Sequence, residues 1–201
     1  PNFLILYKPM EKKYHERITF QNIDIKNNPL QFGEYENCKF QNCDFSNTDL
    51  SEFKFIECVF SGCNLSLVKI SKTAFRDVKF IDCKMLGMHF ENCNEFGLSF
   101  SFENCILNHS SFYKRKIKKT IFRNVQMQEV DFTECDLSFS QFENCNLSNA
   151  TFDNTILEKA DFRTSYNYTI DPESNKIKKA KFSLHGIAGL LSKYDIEIET
   201  K

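Results

Sequence analysis

Glycine is scarce in this chain, 6 in 201 residues, proline numbers only 4, and tryptophan is absent. No glycine-rich phosphate loop, no nucleophile-elbow motif and no His-Glu-x-x-His pair occurs. The common sequence signatures of phosphate handling, acyl transfer and zinc hydrolysis are therefore missing. An excess of one charge is missing too. The 26 basic and 27 acidic residues nearly cancel, which argues against a surface dedicated to direct nucleic-acid binding. The longest apolar run near the N-terminus, Phe3-Leu4-Ile5-Leu6-Tyr7, is too short for a signal-peptide core or a membrane span, and no basic segment precedes it. The expectation is a cytoplasmic protein that is not an enzyme, carries no cofactor and does not touch a membrane. Triplets such as Asn64-Leu65-Ser66 then read as by-products of the patterning below, not as glycosylation sites.

Phenylalanine, by contrast, is abundant at 22 copies, and it is spaced. From Phe20 a large apolar residue returns at every fifth position, through Phe40, Phe45, Leu50, Phe55 and Phe60 to Phe90. The series resumes two residues out of step at Phe102 and continues to Phe162. A strand repeats its inward face every two residues and a helix at about 3.6. On a helix a step of five turns roughly 140°, so these side chains would scatter around the circumference. Every fourth member is again Phe: 20, 40, 60, 80, then 102, 122, 142, 162 and 182. A chain that turns a corner every fifth residue and closes after four corners is a square solenoid. Its coils would stack at about the 4.8 Å strand spacing, with the Phe rings piled in one column.

The cysteines obey the same register. Residues 38, 43, 58, 63, 83, 93, 105, 135 and 145 each stand two positions before a central residue, where Thr48, Val68 and Ala160 stand elsewhere. There is no Cys-x-x-Cys, and the histidines (15, 89, 109, 185) are not placed as co-ligands. These cysteines read as buried, reduced small hydrophobes and not as a metal site.

Cys43-Asp44-Phe45-Ser46-Asn47, Thr48-Asp49-Leu50-Ser51-Glu52 and Ala160-Asp161-Phe162-Arg163-Thr164 resemble the consensus of pentapeptide-repeat proteins. The resemblance implies an all-β fold, a right-handed quadrilateral β-helix over residues 18–182. The central residue and the one two before it would both point inward. Residues 1–17 are expected to be an extension and cap.

The two-residue insertion falls within 93–101, where Glu95 occupies a would-be central site and Phe96-Gly97-Leu98 forms a bulge. Glu95, Phe96 and Leu98 are either a contact site or residues folded back over their own coil. Phe53 stands at a small-residue position, and Gly33, one coil earlier, is expected to make room for it. Arg115 also stands at an inward position; burial of an unpaired guanidinium is costly, so either a pair with Glu95 or a local outward kink is expected. Arg115 belongs to a basic run, Lys114 to Lys119. An acidic stretch follows with Glu129, Asp131, Glu134, Asp136, Glu143, Asp153 and Glu158. These acids are either ordinary solvated faces or a DNA-like field presented to a nucleic-acid-binding protein.

After Phe162 the register lapses in a loop at 166–175, then returns at Ile177 and Phe182. Ser183 is placed to cap a short helix with Ile187, Leu190, Leu191 and Tyr194 on one face; Ile196 and Ile198 alternate with acids as a strand would. Residues 183–201 resemble the C-terminal dimerisation module of the Qnr and McbG-like branch of the family, which implies a homodimer; a monomeric end-cap is the alternative. The same resemblance implies a function: binding DNA gyrase or topoisomerase IV and protecting it from quinolones or a peptide toxin, as a DNA mimic. A scaffold with a different protein partner is the second reading, and an immunity protein for a co-encoded toxin the third.

Overall fold

The structure, a computed structural model, describes residues 12–199. The expected N-terminal extension at 1–10, with its apolar run, lies outside them. Short strands follow one another as β1 (Lys13–Glu16), β2 (Thr19–Gln21), β3 (Gly33–Glu36), β4 (Lys39–Gln41), β5 (Lys54–Ile56) and β6 (Val59–Ser61). They continue as β7 (Ala74–Arg76), β8 (Val78–Ile81), β9 (Phe100–Glu103), β10 (Ile121–Arg123) and β11 (Gln141–Glu143). All pair in parallel, in two sheets: β1-β3-β5-β7, and β2-β4-β6-β8-β9-β10-β11. Partners are 20 residues apart, as in Phe40 with Phe60, and 22 only where Phe80 meets Phe102.

The sheets are two sides of a square. The seven-stranded one is side 1, carrying Phe40; the four-stranded one is side 4, carrying Phe55. Sides 2 and 3 between them are joined by single bridges, such as Asp44 with Asn64 on side 2 and Asp131 with Thr151 on side 3. Residues at the corners adopt a left-handed backbone, every fifth one in long runs: Asn42, Asn47, Glu52 and Glu57, then Lys114, Lys119, Asn124 and Glu129. Asn tolerates that conformation best among non-glycine residues, and it recurs at the corner after side 1. There Asn144 donates to Asn124, and Asn124 to Asn104, at 3.2 and 3.0 Å.

Inside, the expected Phe column is continuous. Ring centroids step from Phe20 to Phe182 at 4.4–5.4 Å with near-parallel planes. A second column, Phe90-Phe112-Phe132-Phe152, lines the opposite side 3 and meets the first edge to face, as at Phe122 with Phe132. Offset stacking within columns and T-shaped contact between them are the two favourable geometries for aromatic pairs. Aliphatics such as Leu107, Met127 and Leu147 on side 2 and Leu137 and Leu157 on side 4 fill the remaining space.

The cysteines do more than fill volume. All nine are buried and unpaired as disulfides. The Sγ of Cys43, Cys63, Cys83, Cys105 and Cys145 reaches the carbonyl oxygen of Phe20, Phe40, Phe60, Phe80 and Phe122 at 3.3–3.6 Å, one coil back. Ser165, Thr155, Thr73 and Ser110 donate to Phe142, Phe132, Leu50 and Met85 in the same way at 2.7–3.0 Å. Burial pushes the Cys58, Cys135 and Cys145 thiols up to about 12, so they keep their protons and act as donors. Where it is Cys, Ser or Thr, the inward position two before a centre thus combines small volume with a side-chain donor to a buried carbonyl, in addition to the backbone N–H that Phe132 accepts from Cys135 and Leu50 from Phe53.

Gly33 has a different role from the one expected. A Cβ there would stand 1.9 Å from the Lys13 carbonyl oxygen, so glycine is required by the adjoining β1 backbone. Phe53 is accommodated by stacking on Tyr35 and meeting Phe32 edge-on. The ladder already includes β1, before residue 18. At the other end, Tyr168 and Ile170 turn inward and close a coil through the segment where the register lapses.

Substitutions at three positions test this interior by equilibrium denaturation. Phe122→Ala should cost about 3–5 kcal/mol. Thr155→Val, which keeps the shape and removes the donor, should cost about 1–2 kcal/mol. Cys135→Ser should cost less than Cys135→Ala, because serine still donates to Phe112.

Candidate functional site

The insertion breaks an otherwise regular side 4. Asn94 donates its N–H to Thr73, the last regular bond before the break, and Ser99 rejoins the ladder on Phe75 at 3.0 Å. Between them the Phe96 N–H bonds the Asn94 side chain at 2.9 Å, and Gly97 takes a left-handed backbone. Among the described residues, no bridge joins Lys116 back to the bulge, while Lys116 pairs onward with Asp136.

The bulge divides its apolar residues. Phe96 is 75% exposed, with the Arg76 guanidinium 5.3 Å from its ring centre. Leu98 instead packs half-buried against the core, because the coil interior must be filled where Glu95 is not inside. Ser99 fixes the rejoining strand, accepting from the Asp77 N–H at 2.7 Å and donating to the Asp77 carboxylate at 3.0 Å. Glu95 is turned out to solvent and lies 3.8 Å from Arg115, whose side chain is only 17% exposed. The expected pair therefore forms, loosely. The Nε atoms of Arg76 and Arg115, which flank the bulge at Phe96 and Glu95, are both buried with no hydrogen-bond partner.

Three of the seven acids are ion-paired with Lys or Arg of the coil before: Lys114 lies 3.5 Å from Glu134, Lys118 3.0 Å from Asp136 and Arg123 2.7 Å from Glu143, while the His109 ring lies 3.1 Å from Glu129. Asp131 is turned to the Thr133 N–H at 2.8 Å. Asp153 and Glu158 form no ion pair among the described residues, and they stand on different sides, 3 and 4. Burial pushes the Asp136 carboxyl up, but hydrogen bonds from Ser138 and the Lys118 ammonium outweigh it and leave it below the usual carboxylate range.

At the C-terminal end Ser183 caps as expected, accepting from the Gly186 N–H at 3.2 Å. A one-turn helix, α1 (Ala188–Leu191), lies between two 3-10 turns. Gly186 and Gly189 let this segment press on the last coil: a Cβ on either would fall within 2.1 Å of a Tyr168 oxygen. The Ile170 N–H donates to Gly189 at 3.0 Å, and Lys193 pairs with Asp171 at 2.7 Å. Leu190 packs inward and Leu191 is half-buried. Leu184, Ile187 and Tyr194 are exposed, and so are Ile196 and Ile198. The expected strand at 196–198 is not formed: nothing among the described residues offers it a ladder partner. Residues 200–201 of the module lie outside the described residues.

No helix is long and apolar enough to cross a membrane, and no cluster of three metal-ligating side chains occurs among the described residues. What the molecule offers is surface: an aromatic knob on a bulge and an apolar end.

Asp136→Asn should destabilise the chain by about 1–2 kcal/mol at neutral pH. Because the folded value is lowered, that contribution is present above the unfolded value of about 4 and lost as pH falls through the folded one. Denaturation curves from pH 7 to pH 2 should show variant and parent converging in acid. Glu95→Gln, at a loose and exposed pair, should shift stability by less than about 0.5 kcal/mol.

A trypsin-treated form of QnrB1, a plasmid-mediated fluoroquinolone resistance protein, matches this structure with a TM-score of 0.51 at 18% identity, over 96% of this chain and 94% of that one. A second trypsin-treated QnrB1 gives 0.48 at 20% identity over 93% and 100%. HetL, a pentapeptide repeat protein involved in heterocyst differentiation regulation from the cyanobacterium Nostoc, gives 0.43 at 12% over 84% and 86%. At these identities the likeness is one of fold. No curated protein matches by sequence. The profile of the pentapeptide repeat region matches residues 34–101 and 98–168, which with the 20-residue coil and its inward Phe columns places the chain in the pentapeptide-repeat family.

Proposed function

We propose that this chain is a non-enzymatic, cytoplasmic binding rod whose partner is a type II topoisomerase, DNA gyrase or topoisomerase IV, and that binding protects the enzyme from quinolones or a gyrase toxin. The observation that carries the reading is Phe96. The ladder holds this exposed aromatic on a bulge, with Arg76 against the ring and the chain pinned at Asn94 and Ser99 on either side. Pre-ordered aromatics of this kind are the usual anchors of protein interfaces, because little entropy is lost when they dock. The solenoid shared with a fluoroquinolone resistance protein is consistent with that partner.

The exposed apolar residues at the C-terminal end support a homodimer, since a patch built from Leu184, Ile187, Tyr194, Ile196 and Ile198 is expensive to leave in water. Placing a charge in the patch, as Ile187→Glu or Ile196→Glu, should then halve the mass measured by light scattering.

A scaffold with a different partner is the second reading, and the ion pairing of the acidic coils favours it. With Glu134, Asp136 and Glu143 matched by Lys or Arg, the field along the rod is not that of duplex DNA. On the topoisomerase reading, contact therefore centres on the bulge, with Asp153 and Glu158 as outlying acids.

The deciding experiment titrates the protein into a gyrase supercoiling and DNA-cleavage assay containing a fluoroquinolone. Supercoiling should be restored, and Phe96→Ala should weaken the effect about tenfold or more while leaving the fold intact. No protection by a well-folded parent protein would remove the topoisomerase reading and leave the scaffold.

A further inference from the structure

The linear sequence shows balanced charge, but the fold sorts it. In the C-terminal half, side 4 and the corner after it gather Lys116, Lys118 and Lys119 on one coil and Lys176, Lys178 and Lys179 three coils on. Lys159 stands between them at the corner. All are exposed, and among the described residues only Lys118 is ion-paired, with Asp136. The acids on this side are spent elsewhere or recessed: Asp136 is 8% exposed and accepts from the Ser138 N–H and hydroxyl, and Glu158 is half-buried.

The corner column reads Lys119, Phe139, Lys159, Lys179, each in the left-handed backbone with φ of 59–64°. For a bulky aromatic that conformation is strained, and Asn or Gly would avoid it. Yet Phe139 contributes nothing to the core: it is 45% exposed, with the Lys159 ammonium 4.6 Å from its ring centre. Above it, a shallow groove formed where the bulge rejoins side 1 is lined by Lys79, Ser101, Lys118, Lys119 and Thr120, together with Asp77. Lysines in line, hydroxyls at one end and an exposed ring in the middle combine the two elements that hold single strands, phosphate neutralisation and base stacking.

We propose that this strip, Lys119-Phe139-Lys159-Lys179 with its flanking lysines, binds a single-stranded nucleic acid, its phosphates on the lysines and a base on the outer face of Phe139. At about 4.8 Å per coil the column is roughly 14 Å long, enough for a few nucleotides. The site lies below the bulge and is independent of the topoisomerase reading: a scaffold of any other partner would carry it equally.

The test is fluorescence anisotropy of a labelled oligothymidylate with the full chain at low and moderate salt. Binding should weaken steeply with salt. The triple variant Lys159→Glu, Lys178→Glu, Lys179→Glu should bind at least about tenfold more weakly and show a log-log salt slope shallower by about 2. Phe139→Asn, which suits the corner backbone and should not destabilise the fold, should weaken binding about fivefold or more. Absence of binding by the folded parent, or binding that neither variant weakens, would overturn the proposal. Equal affinity for duplex DNA with indifference to Phe139→Asn would overturn the single-strand assignment, as would displacement of the oligonucleotide by polyglutamate at equal charge concentration.

Discussion

Everything in this molecule depends on the hydrogen bond between one coil and the next. Its strands are three or four residues long, too short to be stable alone, and they persist because each amide and carbonyl pairs with the backbone 20 residues away. That requirement fixes the coil length, and the one longer coil keeps register only by bulging its extra residues outside the ladder. It fixes the corners, which must bend in the left-handed region. It also leaves the carbonyls of the central residues away from water. The Cys, Ser and Thr donors add a side-chain bond to the backbone N–H that carbonyls such as those of Phe112 and Phe132 accept. A protein with 6 glycines can turn so many corners only because Asn, Asp and charged residues accept positive φ at positions open to water.

The Phe columns, the closure after four corners and the place of the insertion were all legible in the sequence, because a solenoid writes its geometry at constant spacing. The role of the cysteines was only half legible. Their position said small and inward, but the carbonyl served lies 23 residues away, or 25 for Cys105 across the insertion, and becomes visible only once coils are stacked. The ion pairs were within reach. His109 with Glu129, Lys114 with Glu134 and Arg123 with Glu143 are each one coil apart, so the period that reveals the fold also predicts the pairing. Read linearly, the same residues look like a basic run followed by an acidic field.

What escaped the sequence lies where the period fails. Leu98 and Phe96 are two residues apart in a segment with no register, and the direction of each is decided by which can fill the gap inside. Gly33 was assigned to Phe53 by proximity in the repeat, whereas the close approach is made by the Lys13 carbonyl. Ile196 and Ile198 alternate as a strand does, but alternation needs a neighbouring edge to become one. The interruptions are also where the surface becomes distinctive: the regular coils are neutral and polar, and the bulge, the strained Phe139 corner and the C-terminal end depart from them.

The account holds that a continuous ladder presents one rigid break at the bulge and that partners engage there. Hydrogen exchange read by mass spectrometry, on the free chain and with DNA gyrase, tests this most directly. Slow exchange should cover the coils of residues 34–94 and 99–168, with fast exchange confined to 95–98 that slows when gyrase is added. Uniform protection through 95–98, or a gyrase footprint that leaves those amides unchanged while protecting another side of the rod, would contradict it.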